Sequence, residues 1–270
     1  MTSTGNGWQQ SLQGFFDQRG SAIAGVPTLE DLCYIAGRDP RVWFDAERRT
    51  ELADSILGLT QCGPGSSVLE VGSAAGFIAQ LVAPRVARFV GVDLAEAPLE
   101  VARRLALGNA EFVRADGSSL PYSKGSFHGV FCYDVFTNFP SIDVGLPLVR
   151  EMLRVVAPGG KVLVGNIPDA AERAAIPVRV AEVSRELDER FGPLPTRPER
   201  SEPAPKRGLV SRLFGSKKQS VIPGIVTYDF RREDFLTMGR GLGVAVSIHE
   251  VHRSNPYFGL RFNAVFEQAK

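Results

Sequence analysis

The sequence predicts an α/β protein built on a doubly wound, largely parallel sheet with helices on both faces. Three observations predict it. Between residue 66 and about 168, short continuous apolar runs alternate with stretches of helical period, the pattern of strands buried on both sides. The first apolar run, VLEV at 68–71, breaks directly into a glycine turn, GSAAG at 72–76. Near the C-terminus, VAVSIHEV and RFNAVFEQ are separated by a turn far too short for a parallel crossover, so these two strands pair antiparallel.

The elements follow in order. Residues 1–44 read as an irregular cap segment whose aromatics (Trp8, Phe15, Phe16, Trp43, Phe44) either pack over the sheet, the favoured role, or cover a ligand. Asp45 is placed to cap a helix that carries Leu52, Ile56 and Leu59 on one face. Strands are expected at Ser67 to Val71, Phe89 to Asp93, Glu111 to Arg114, Phe127 to Cys132 and Lys161 to Val164, with helices over 77–86, 97–107 and 144–156 between them. Pro158-Gly159-Gly160 is expected to end the last of these helices. Residues 170–191 have helical period, with Val180, Val183 and Leu187 aligned. A stretch rich in Pro, Gly, Ser and basic side chains at about 192–224 reads as a flexible insertion, and a helix near 232–240 leads into the terminal strand pair.

Composition narrows the function. A net charge of +1 over 270 residues gives no global steering toward nucleic acid or membrane. Cys33, Cys62 and Cys132 lack metal-ligand spacing and read as thiols of a reducing compartment, so no metal site is expected. No apolar run approaches the ~20 residues of a bilayer span, and the start MTSTGNGWQQ lacks the pattern of a secretory signal. A cytoplasmic protein is the expectation.

The chemistry centres on the glycine turn. Gly72 and Gly76 bracket Ser73-Ala74-Ala75, and Asp93 ends the second strand 21 residues after Gly72, suited to accept both hydroxyls of a ribose. A dinucleotide pyrophosphate needs a glycine at the middle of this turn, where Ala74 stands instead. Glu70 adds a carboxylate that is awkward beside phosphate and suited to an ammonium or sulfonium. At the third strand, Asp116 in Ala115-Asp116-Gly117 is placed to accept from an exocyclic amine.

Taken in order and spacing, Glu70, Gly72, Gly76, Asp93, Asp116 and the Pro158-Gly159-Gly160 turn resemble the class I S-adenosylmethionine-dependent methyltransferases, over about residues 45–168. The resemblance implies a Rossmann-like seven-stranded sheet of order 3-2-1-4-5-7-6 with strand 7 antiparallel, a methyltransferase domain over 45–270, and S-adenosylmethionine as cofactor. It implies that Gly72, Ser73, Ala74 and Gly76 line the methionine part, Asp93 the ribose and Asp116 the adenine amine. Leu94 and Gly117 would flank the ring, and Tyr133 would lie near the cofactor. His128 stands where an aspartate is frequent, at the strand end remote from the site.

For the methyl acceptor the residues leave alternatives open. Tyr133, Asp134, Asn138 and Asn166 fall on the binding edge, and His249 and His252 near the end of the sixth strand; His252 would suit as a base if it faces the cleft, because imidazole titrates near ~6.5. A small-molecule or lipid-linked acceptor is expected. The Asn-Pro-Pro-aromatic tetrad of many nucleic-acid methyltransferases is absent, and no specific nucleic acid partner is expected. Within residues 197–220, seven Lys or Arg against two Glu give a net +5, so 206–218 could touch an anionic membrane, although a solvated loop accounts for it as well. An NAD-dependent oxidoreductase is disfavoured by Ala74 and Glu70. A methyltransferase-like module without activity is the competing class.

Overall fold

The computed structural model describes residues 7–194 and 228–268. Strands β1 (Ser67–Val71), β2 (Arg88–Asp93), β3 (Ala110–Arg114), β4 (Phe127–Tyr133), β5 (Val156–Pro168), β6 (Ala245–Glu250) and β7 (Arg261–Glu267) form one sheet in the order β3-β2-β1-β4-β5-β7-β6. Strands β1 to β5 pair in parallel, and β7 lies antiparallel to both β5 and β6. This is the expected topology.

Alternation along each strand feeds two separate cores. On one face Val68, Phe89, Phe131 and Leu163 pack under α3 (Ala46–Thr60), α4 (Ala79–Val82) and α5 (Glu96–Arg103). On the other, Leu69, Val90, Val130 and Val162 meet α6 (Ile142–Val155) and α8 (Arg232–Leu242). Among the described residues eight phenylalanines are fully buried, each contributing roughly 1.5–3 kcal/mol by leaving water. A cluster of Phe136, Phe230, Phe235 and Phe262, with ring centroids 5.4–5.8 Å apart, locks the end of β4 to α8 and β7. Asp45 caps α3 as its sequence suggests, accepting from the Glu47 and Arg48 amides at 2.9 and 3.4 Å.

Three local expectations differ. The N-terminal segment is helical rather than irregular, with α1 (Gly7–Ser21), α2 (Leu29–Ile35) and a 3-10 turn at Pro40–Trp43. Helix α1 forms because of tertiary contact: its Asp17 accepts from the Ala97 amide at the start of α5 at 3.0 Å, and its Gly20 lies so close to α5 that a Cβ would sit 2.5 Å from the Pro98 nitrogen. The helix expected over 77–86 is a single turn, because Pro84 cannot supply the next amide and the chain tightens to 3-10 at Ala83–Arg85. The helix before β5 ends at Val155, and Pro158-Gly159-Gly160 lies inside β5 where its register with β4 shifts.

Helix α7 (Ala175–Phe191) covers the expected helical stretch. Of the basic insertion expected at about 192–224, residues 195–224 lie outside the described residues, and so does the 206–218 membrane contact. No helix among the described residues is long and apolar enough to cross a membrane.

Candidate active site

The C-terminal edges of β1, β2 and β4 open into a cavity of about 810 Å³. Its floor is the glycine turn after β1. Gly72 and Gly76 adopt φ 82° and 79°, and Ala74 adopts φ 43°. The left-handed conformation costs an alanine roughly 1–2 kcal/mol, and the neighbouring strand holds it there. The amides of Gly72 and Ser73 donate to the Val92 carbonyl at 2.8 and 3.0 Å, and the Ala74 amide donates to Asp93 Oδ2 at 2.8 Å. Any side chain at 72 would collide with Val135.

Asp93 also accepts from the Ala95 amide through Oδ1 at 3.0 Å, so one carboxylate ties together the turns after β1 and β2. Burial pushes its pKa up, while the amides of Ala95, Ala74 and Leu94 favour the charged form. Asp116 makes a smaller turn of the same kind, with Oδ1 accepting from the Ser118 amide and hydroxyl at 2.8 and 2.7 Å.

At the foot of the cavity, Glu70 is 2% exposed and its Oε2 has no hydrogen-bond partner. Burial pushes its carboxyl up to about 8, Arg38 pulls it down and Asp93 pushes it up further. Arg38, from the loop after α2, stacks over the Phe77 ring with 4.5 Å to the centroid. Its Nη2 pairs with Asp134 Oδ2 at 2.8 Å, while its Nε and Nη1 are buried without partners. Unpaired acceptor and donor atoms of this kind are costly unless a ligand satisfies them.

Asp134 anchors the far end. Its Oδ1 accepts from Asn166 Nδ2 at 2.5 Å and from Arg261 Nη1 at 3.2 Å. Asp134 and Asn166 both adopt left-handed backbone, φ 63° and 59°, a strained pair held by this network. Tyr133 is buried, and desolvation and then Asp134 raise its hydroxyl pKa, which makes it a poor proton acceptor. The roof is α1, through Trp8, Leu12 and Phe16, with Trp8 edge-on to Phe139 at 5.5 Å.

Of the residues singled out in the sequence, Glu70, Gly72, Ser73, Ala74, Asp93, Leu94, Asp116, Gly117, Tyr133, Asp134, Asn138 and Asn166 line this cavity. Gly76 shapes the turn without lining it. The two histidines are a correction. His252 faces α3 in a separate groove, 3.2 Å from Glu51, and His249 bonds Ser247 on the exposed edge strand. The edge position of β6 and the turn after it aim both rings away from the cavity. His128 accepts from the Ser67 amide at 2.9 Å, a structural bond at the opposite strand end.

Arg38, Phe77, Tyr257 and Arg261 also line the cavity, unassigned by sequence reasoning, and so do Trp43 and the α1 aromatics, for which covering a ligand was the less favoured of two expected roles. Arg38 stands between Gly37, which needs positive φ, and Asp39-Pro40. That marks a turn, and nothing local marks its partner 96 residues away.

Comparison with known proteins agrees with this geometry. Residues 69–164 match the family described as "Methyltransferase domain". The chain is 33% identical over 106 residues to a demethylmenaquinone methyltransferase of Thermus thermophilus, covering 37% of this chain and 47% of that one. It is 33% identical over 123 residues to a ubiquinone biosynthesis O-methyltransferase of Pseudomonas paraeruginosa, covering 44% and 50%. The chain thus spans about half the length of the curated relatives it matches. The solved complex of DhpI with SAH shares the fold over 98% of this chain and 99% of that one, with a TM-score of 0.59 at 18% identity. The sheet order and the matched domain agree: residues 69–164 form a methyltransferase domain, set in a sheet with the fold of the class I S-adenosylmethionine-dependent methyltransferases.

Proposed function

We propose that the protein transfers a methyl group from S-adenosylmethionine to a small-molecule or lipid-linked acceptor with an apolar body. The observation that carries this reading is one continuous cavity with two chemically different ends. One end offers an unpaired acid, unpaired guanidinium donors and two turn carboxylates. The other is roofed by aromatic and aliphatic side chains.

The residues fit the cofactor. Buried Glu70 Oε2 would meet the ammonium, and the free Nε and Nη1 of Arg38 the carboxylate. Asp93, Leu94, Asp116 and Gly117 would hold the ribose and adenine. When bound, the cofactor supplies a methyl group on a sulfonium that leaves as a neutral thioether. The chain therefore contributes mainly alignment, where effective molarities reach ~10⁵ M or more, and exclusion of water under α1. General-base assistance is weakly provided for: Asp134 is spent on two arginines and Asn166, Tyr133 holds its proton, and His252 faces away.

The names of the relatives, which act in menaquinone and ubiquinone synthesis, support an acceptor with an apolar portion. Isothermal titration with S-adenosylmethionine, S-adenosylhomocysteine and NAD tests the cofactor, with NAD expected to bind at least tenfold more weakly. Comparable NAD affinity overturns the reading.

A further inference from the structure

Asp134, at the far end of the cavity, lies between two guanidinium groups: Arg38, whose remaining donors are assigned to the cofactor, and Arg261. The sharing is unequal. Asp134 Oδ2 is 2.8 Å from Arg38, whereas Oδ1 gives Arg261 a 3.2 Å contact and a 2.5 Å bond to Asn166. Arg261 spends only Nη1, on Asp134 and on the Asn166 carbonyl at 3.0 Å. Its Nε and Nη2 have no partner among the described residues.

The surroundings prepare that guanidinium for a ligand. Its face stacks on the Tyr257 ring, 5.2 Å to the centroid, so its N–H groups lie along the rim of the plane, where Nη1 alone has a described partner. The side chain is 19% exposed, so water competes less than at a surface. Other nearby charges are already matched: Asp39 by Arg41, and Arg179, behind the Tyr257 loop, by Glu182 and Glu186. Of the carboxylates lining the cavity, Asp134 is the one paired with Arg261 among the described residues. A fixed guanidinium fork beside an apolar chamber matches a carboxylate or phosphate monoester in shape and charge.

We propose that the methyl acceptor carries an anionic group, a carboxylate or a phosphate monoester, that docks on Arg261. The inference rests on the methyltransferase reading of the cavity and names the class of acceptor it takes. Arg261 acts by binding and orienting the acceptor.

The test uses the full chain saturated with S-adenosylhomocysteine and three probes: 4-hydroxybenzoate, phenyl phosphate and the neutral 4-hydroxybenzamide. Calorimetric titration should show at least one anion binding tenfold or more tightly than the amide, and the better of the two identifies the anionic group. Arg261→Met should abolish the preference and leave S-adenosylhomocysteine affinity within twofold. Arg261→Lys, which keeps charge and loses the fork, should retain part of it. If neither anion outbinds the amide in the wild-type protein, the inference is overturned whatever the variants do. Retention of the full preference in Arg261→Met overturns it equally. Failure of S-adenosylhomocysteine itself to bind would strike the methyltransferase reading instead, so the two failures are separable.

Discussion

Glu70 gives the sharpest test of how the cavity works. Its carboxyl ordinarily titrates at 4.5 and stands at about 8 in the folded protein, mainly because burial disfavours the charge. The unfolded chain releases this proton from about pH 4.5 upward, whereas the folded protein keeps it until about pH 8. Stability from this group is therefore complete below pH 4.5 and falls through the window by about 1.4 kcal/mol per pH unit, on the order of 5 kcal/mol in all. Glu70→Gln has no such slope. Its thermal midpoint should match the wild type near pH 5 and exceed it increasingly toward pH 8.

Ligand binding should reverse the sign of that cost. A cationic ammonium beside Glu70 favours the carboxylate, so binding expels the proton, and at pH 7 about 0.9 of a proton should leave per S-adenosylmethionine bound. Calorimetry in buffers of different ionisation enthalpy measures this directly. Affinity should rise with pH up to about 8, by up to tenfold per unit, and Glu70→Gln should lose both the proton release and the pH dependence. A wild-type titration without proton release, together with an unchanged dissociation constant in Glu70→Gln, would refute the assignment of Glu70 to the ammonium.

Other perturbations test other parts. Asp93→Asn should weaken S-adenosylhomocysteine binding at least tenfold, since each charge-assisted bond lost is worth ~1.5–3 kcal/mol; an unchanged dissociation constant would place the ribose elsewhere. Arg41 is 5% exposed and joins Asp39, Asp188 and the Gly192 carbonyl at 2.5–2.7 Å. Arg41→Met should lower unfolding free energy by ~3 kcal/mol, the lower part of the range for breaking a buried pair because both carboxylates keep some contact with water. A denaturant midpoint equal to wild type would contradict that. Gly20→Ala puts a methyl against the backbone of residues 97 and 98, so α1 should detach, expose Arg19 to trypsin and weaken cofactor binding; resistance to the protease would mean that the contact yields.

What the sequence made legible follows from how each feature is encoded. Strands buried on both faces leave continuous apolar runs, and a tight turn at positive φ leaves Gly72 and Gly76, so the strands and the cavity floor could be read locally, whereas the sheet order followed only from the family resemblance. Asp93 and Asp116 were legible because strand ends in a parallel sheet share one edge. Arg38, Tyr257 and Arg261 carry no local mark, because only the fold brings residues 38, 134 and 261 together. Helix α1 was missed for the same reason: Gly7, Gly14 and Gly20 weaken its propensity, and docking on α5 restores it. His252 looked apt by position and chemistry, but its direction depends on a turn at an edge strand that periodicity does not specify.

The position of β7 has a consequence for biosynthesis. Among the described strands, β6 bonds to β7 and to no other, yet the ribosome delivers β6 first. Until residue 261 arrives, β6 has no neighbour, the far edge of β5 stands open, and Asp134 has Arg38 without Arg261. An unpaired apolar edge is an invitation to association with other chains. The nascent protein is most vulnerable just before β7 inserts between two strands already made, and that insertion closes the sheet and completes the cavity in one step.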